Sequence, residues 1–171
     1  KSRYRNSIAY VDSLLGSFFS LLKDKGLYEE SLIAITGDHG EEFFEEGSLF
    51  HGTHLNRYQT SVPIGCKLGD NSWISKIDPQ RKTMSHIDIF PSILHYVVQS
   101  DSFASLFDGE SIFTPNARPY HLTVLQNGPR PPEELCIEWG PHKLNLRLAG
   151  PSRVELLQSD EEIYPTIVQT I

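Results

Sequence analysis

Ser31-Leu32-Ile33-Ala34-Ile35-Thr36-Gly37-Asp38-His39-Gly40 holds the transition on which the fold turns: an apolar run rich in β-branched residues, a glycine, then two polar side chains of metal-binding type. Ser31 to Thr36 reads as a buried parallel strand, because strands covered on both faces are almost continuously apolar. Asp38 then falls at the carboxyl end of the strand, the edge at which open α/β sheets gather their ligands. Asp38 and His39 offer one hard oxygen and one imidazole nitrogen, a mixed pair that suits zinc or manganese better than calcium. Gly40 permits a tight turn behind them, so two consecutive side chains can face one ion despite the alternation of a strand.

A second imidazole returns at His51, again beside a glycine. Between the two histidines, Glu41, Glu42, Glu45 and Glu46 read as a solvated acidic face, with Glu41 best placed to orient a metal ligand from behind. For Asp-His-Gly standing alone, a surface turn followed by a solvated loop would be the better reading. The strand ahead of it and His51-Gly52 after it tip the balance toward a site. His54 reads either as a substrate contact beside His51 or as one more polar residue on the same exposed loop.

Moving outward, Ile8, Val11, Leu15, Phe18 and Leu22 recur at helical spacing, with Leu14 and Phe19 widening the stripe. This predicts an amphipathic helix over residues 4 to 24, ending near Gly26, with its aromatics in the core. Val62 to Lys67 predicts a strand that tolerates Pro63 at its start, and Asn71 to Arg81 a loop. His86 to Val98 predicts a helix whose regular part begins around Phe90, since Pro91 is accepted only near the first turn. His86 and Asp88 read first as capping groups for that helix and second as residues approaching a substrate. After about Ser100, the segments Tyr120–Leu125, Glu133–Trp139 and His142–Leu148 are separated by Gly128-Pro129-Arg130-Pro131-Pro132 and Gly140-Pro141, which predicts a small antiparallel sheet. Cys66 and Cys136 both read as buried small hydrophobes, and a disulfide between them does not follow from sequence.

Five ordered pieces between about Tyr4 and Leu94 together resemble a known family. They are Asn6-Ser7-Ile8-Ala9-Tyr10-Val11-Asp12, Gly26-Leu27-Tyr28, Gly37-Asp38-His39-Gly40-Glu41, Gln59-Thr60-Ser61-Val62-Pro63 and Ser85-His86-Ile87-Asp88-Ile89-Phe90-Pro91-Ser92. In this order they resemble the C-terminal half of the sulfatase-like branch of the alkaline phosphatase superfamily. The resemblance implies an α/β fold: part of a three-layer αβα domain with a mostly parallel sheet over residues 1–100, and an antiparallel subdomain packed on it over 101–171. Glu138-Trp139-Gly140-Pro141-His142-Lys143-Leu144 resembles a hairpin these enzymes carry near their C-terminus, and Val154-Glu155-Leu156-Leu157 with Ser159-Asp160-Glu161-Glu162 resembles their later strand and acidic turn.

The same resemblance implies that Asp38 and His39 bind the catalytic metal, Zn²⁺ or Mn²⁺, with Mg²⁺ or Ca²⁺ expected of a true sulfatase. True sulfatases usually carry a lysine where this chain has His51. A histidine there resembles the lipid A phosphoethanolamine transferases, and Phe50-His51-Gly52-Thr53-His54-Leu55-Asn56-Arg57-Tyr58-Gln59-Thr60 resembles bacterial inner-membrane proteins related to lipoteichoic acid synthase. The implied chemistry is therefore attack on a phosphodiester lipid head group through a covalent phospho-enzyme, with His51 catalytic and His51 and His54 contacting substrate. Sulfate ester hydrolysis is the first alternative, and a non-catalytic periplasmic lipid-sensing or binding domain the second. The nucleophile and the remaining acidic ligands are expected in an N-terminal half of the domain that this chain lacks, so the chain alone is expected to be inactive. No Cys-x-Pro-x-Arg signature occurs.

Composition agrees with a folded piece: 171 residues, 39% hydrophobic and 11% aromatic, are enough to bury a core. A formal charge of −7 without a basic run gives no footprint for nucleic acid. No stretch reaches the roughly 18 to 20 apolar residues that span a bilayer. The resemblance implies a periplasmic or extracellular site at a bacterial inner membrane, anchored by upstream helices, with a phospholipid or lipid-linked substrate.

Overall fold

The helical spacing of Ile8, Val11, Leu15 and Leu22 is realised as helix α1, Ser2–Asp24. It belongs to a computed structural model that describes residues 1–77, 84–115, 118, 120–126, 128–139, 142–148 and 154–159. The chain divides into two units, Lys1–Gly37 with Pro63–Ile74, and Asp38–Val62 with Ser75–Ile171.

In the first unit, α1 ends in a left-handed turn at Gly26, whose φ is +67°. There the Leu27 amide donates to the Leu22 carbonyl and the Gly26 amide to that of Lys23. This paired bonding satisfies carbonyls that a helix end leaves open, and it needs a residue without a Cβ at the turn. The expectation that the α1 aromatics lie in the core is not met, since no residue of α1 is buried. Phe18 is 49% exposed, and only Leu15, Phe19 and Leu22 reach half-burial. Periodicity identifies an apolar face; it does not say whether the same unit holds enough surface to cover it.

Strand β1, Ile33–Thr36, forms where the apolar run predicts. It pairs antiparallel with β4, Ile64–Lys67, and three of its four residues are exposed. The buried parallel reading is corrected on both counts, because β-branched composition favours an extended chain and leaves the partner's direction open. Beyond β4, Asn71–Lys76 is a 3₁₀ helix burying Trp73, so part of the predicted loop is ordered structure, while residues 78–83 lie outside the described residues.

The second unit opens with the hairpin of β2, Glu42–Phe43, and β3, Leu49–Phe50, followed by the single turn α2, Arg57–Thr60. Helix α3, Ile89–Val98, follows a 3₁₀ turn at His86–Asp88, and Pro91 falls within its first turn as its missing N–H requires. Strands β5, His121–Leu125, β6, Glu134–Trp139, β7, His142–Leu148, and β8, Val154–Ser159, form a four-stranded antiparallel meander in that order. The predicted C-terminal sheet is thus present. Its Gly140-Pro141 turn and the acidic residues 160–162 lie outside the described residues. Cys136 and Leu144 are buried on this sheet. Both cysteines are free, and Cys66 is exposed, contrary to its reading as a buried hydrophobe. The α/β class stands, and every strand pair among the described residues is antiparallel.

Asp88 joins the start of α3 to the chain that follows it. Its carboxylate, fully buried, accepts from the Ser85 amide at 2.9 Å, the Glu110 amide at 2.8 Å and Arg118 Nη2 at 2.6 Å. The capping reading holds for Asp88, which closes a capping box with Ser85. Gly109 sits against the Ile87 carbonyl, where a Cβ would have no room. Removing one partner of a buried pair strands the other, so Asp88→Ala should lower unfolding stability by about 3 to 5 kcal/mol in a urea titration. Neutralising the partly exposed Lys143–Glu138 pair should cost under about 1 kcal/mol.

Candidate functional site

Asp38, His39, Glu41 and His51 converge in the second unit because the β2–β3 hairpin reverses the chain between the two histidines. Their imidazole centroids are 3.7 Å apart with planes inclined at 32°. His39 Nδ1 lies 2.9 Å from the Gly40 carbonyl. A carbonyl can only accept, so Nδ1 carries the proton and Nε2 keeps its lone pair. That Nε2 is 3.7 Å from Asp38 Oδ2, a span two ligands of one ion can have when each sits about 2 Å from it. A ring N–H held by a backbone carbonyl is also the usual support of a metal-binding imidazole. The Asp38 carboxyl lies below its usual range, held there by the amides of Asp38 and His39 and then by the His39 imidazole.

His51 Nδ1 lies 3.2 Å from Glu41 Oε1. Glu41, expected to orient a metal ligand from behind, is bonded to His51. His51 and His39 both remain about half accessible, at 47% and 43% of their side chains. His54 is exposed on the same loop, where its backbone amide donates to Gln59 Oε1. Among the described residues, no group of three or more His, Cys, Asp or Glu side chains closes around a point that could hold a metal ion. The donor chemistry of Asp38 and His39, one carboxylate oxygen and one imidazole nitrogen, is of a kind that a divalent metal accepts.

Behind these side chains lies a polar core that sequence reasoning missed. Glu42, expected on a solvated face, is fully buried. Its Oε1 accepts from the amides of Glu46 and Ser48, both at 2.9 Å. Its Oε2 accepts from Asn56 Nδ2 at 2.6 Å and Gln59 Nε2 at 2.8 Å. Asn56 in turn caps α2, its side-chain oxygen accepting from the Tyr58 and Gln59 amides. One signal was available: Asn56-Arg57-Tyr58-Gln59 has the spacing of a helix N-terminus with a polar residue at the third helical position. Nothing in the acidic run sets Glu42 apart from its neighbours. Phe44 and Phe50 adopt φ of +68° and +71°, a conformation costing a non-glycine residue about 1 kcal/mol or more, held here by the bonds around them.

These bonds, led by that of Asn56, lower the Glu42 carboxyl from its ordinary value to about 2. A depressed value in the folded state means that its contribution to stability is complete above about 4.5 and fades as pH falls through about 2. The stability difference between the native chain and Glu42→Gln should therefore be constant above pH 5 and shrink progressively below it. Denaturant midpoints measured from pH 7 to pH 2 check this; a difference that does not change with pH would contradict the assignment.

The family model described as Sulfatase matches residues 1–99. Among solved structures, the chain is similar to a Bacteroides thetaiotaomicron protein from a core genetic locus for the metabolism of multiple glycosaminoglycans. The identity is 18% and the TM-score 0.66, over 95% of this chain and 40% of that one. A second similar structure is a protein in complex with its substrate D-glucosamine-2-N,6-O-disulfate, at 17% identity and a TM-score of 0.58, over 92% of this chain and 33% of that one. The chain thus spans well under half the length of either protein. At these identities the likeness is one of fold.

Proposed function

The chain belongs to the sulfatase family, and we propose that it supplies one wall of a metal-dependent active site that cleaves or transfers an oxyanion ester. The observation that carries this reading is the convergence of Asp38 Oδ2 and His39 Nε2 at 3.7 Å, with the His51 ring stacked at the same place. A divalent metal bound there, Zn²⁺ or Mn²⁺, would supply Lewis-acid stabilisation of negative charge. Asp38 and His39 would be two of its ligands. The Gly40 carbonyl keeps the His39 proton on Nδ1, so that Nε2 faces outward as a base. Glu41 holds His51 by Nδ1 and leaves Nε2 for the substrate, where it can hydrogen-bond a nonbridging oxygen or protonate the leaving alcohol. His54, on the same exposed loop, is a further candidate contact.

For the ester itself, the phosphodiester of a phospholipid or lipid-linked substrate is the reading that His51 supports, as an imidazole where true sulfatases carry a lysine. A sulfate ester is the second reading, favoured by the family match and by the disulfated glucosamine bound to one similar structure. In either case we place the nucleophile and the remaining acidic ligands on a further, N-terminal portion of the domain. The exposed stripe of Ile8, Val11, Leu14, Phe18 and Leu21 on α1 is the surface such a portion would cover. We assign the working location to the periplasmic or extracellular face of a bacterial inner membrane. No helix among the described residues is itself long and apolar enough to cross one.

The test uses an intact protein containing this chain, assayed with bis(4-nitrophenyl) phosphate and with 4-nitrophenyl sulfate. Turnover of the diester is expected, and His51→Ala should lower it by about 10² to 10⁴ while shifting unfolding stability by under about 0.5 kcal/mol. Unchanged turnover would remove His51 from the reaction. Turnover of the sulfate alone would establish the second reading, and turnover of neither would favour a binding domain.

A further inference from the structure

We infer that Gln59, locked in place by Glu42, is the positioning residue that sets the spacing of the His39 and His51 imidazoles. The two rings reach 3.7 Å from opposite ends of a hairpin segment, whose short β2–β3 ladder, pairing only Glu42 with Phe50 and Phe43 with Leu49, ends one residue before His51 and does not reach His39. Both ends are attached in addition to Gln59. Its backbone carbonyl accepts from the amide of Gly40, the residue after His39, at 2.8 Å. Its side-chain Oε1 accepts from the amides of Thr53 and His54, just beyond His51, at 3.1 and 3.2 Å. Gly40 packs so closely on the Tyr58 carbonyl that no Cβ would fit, which brings the His39 turn directly against α2. One residue thus carries an anchor for each ring.

The side-chain anchor works only in one orientation of the Gln59 amide. With Oε1 toward Thr53 and His54, Nε2 must find acceptors on its other side, and it finds Glu42 Oε2 and Thr53 Oγ1, each at 2.8 Å. A flipped amide would set donors against the two backbone N–H groups and an oxygen against the carboxylate. Glu42 therefore selects the orientation, and Asn56 cannot replace it, since the Asn56 side-chain oxygen is already engaged by the Tyr58 and Gln59 amides. Burial makes the selection strict, because an unpaired polar group there costs more than the bond it loses. Glu42 and Gln59 need touch neither substrate nor metal. They act through the two imidazoles, and loss of such outer support typically weakens a metal site by about 10- to 100-fold.

The metal consequence rests on the reading of Asp38 and His39 as ligands; the positioning does not, and the experiment separates them. In the full 171-residue chain with ¹³C-labelled histidine, nuclear Overhauser contacts between the His39 and His51 ring protons report the stacked pair. They should be present in the native chain, lost in Gln59→Ala and in Glu42→Gln, and retained in Asp88→Asn, which destabilises the chain away from these residues. If Glu42→Gln does not fold, Gln59→Ala decides alone, because it leaves the other three donors to Glu42 in place. Contacts that survive in Gln59→Ala, or that vanish equally in Asp88→Asn, overturn the inference. Zinc titration of an intact protein containing this chain should show affinity about 10- to 100-fold weaker in the two variants. Loss of the ring contacts together with no zinc binding by that intact protein in its native form would leave the positioning role standing and defeat the metal reading.

Discussion

A buried carboxylate that accepts four hydrogen bonds organises the region where chemistry is expected. Glu42 ties the hairpin turn, through the amides of Glu46 and Ser48, to the helical turn of Asn56 and Gln59. Taking a carboxylate out of water is unfavourable unless its oxygens are fully engaged, and here each oxygen accepts two donors. Those bonds also hold a hairpin containing two phenylalanines in left-handed backbone conformations, which a short ladder alone would not sustain.

The site built on this support is asymmetric. Its floor is ordered by backbone and amide bonds, whereas the groups able to do chemistry stand half open to solvent: Asp38 is 90% exposed, and the His39 and His51 rings are partly so. An exposed carboxylate and two half-exposed imidazoles stand open to solvent and do not close around an ion by themselves. The chain spans 40% and 33% of the two similar structures. The apolar face of α1 is likewise exposed, at Ile8, Val11, Leu14, Phe18 and Leu21.

Asp88 repeats the logic of Glu42 elsewhere in the same unit. It also reads from sequence as a short acidic residue near a helix start, and it does close a capping box with Ser85 at the 3₁₀ turn that leads into α3. Its burial and its pairing with Arg118 are long-range facts that local pattern does not contain. Both acids show why a run of charges is a weak guide to exposure: charge tells what a group needs, and only the fold tells who supplies it.

Sequence alone determined the elements whose signals are local. The apolar spacing of α1, the β-branched run of β1, the apolar run leading into β4, the position of Pro91 in α3, and the Gly- and Pro-bounded strands of the C-terminal sheet all follow from backbone preferences over a few residues. It also placed Asp38, His39 and His51 as a possible site, since the chain returns to an imidazole and a glycine after a short acidic loop. Tertiary structure decided the rest: the antiparallel pairing of β1, the exposure of the α1 stripe, the partnership of Glu41 with His51, and the burial of Glu42. Each depends on which distant group completes a hydrogen bond or covers an apolar surface. That choice is made by packing across the chain and leaves no mark in the residues on either side.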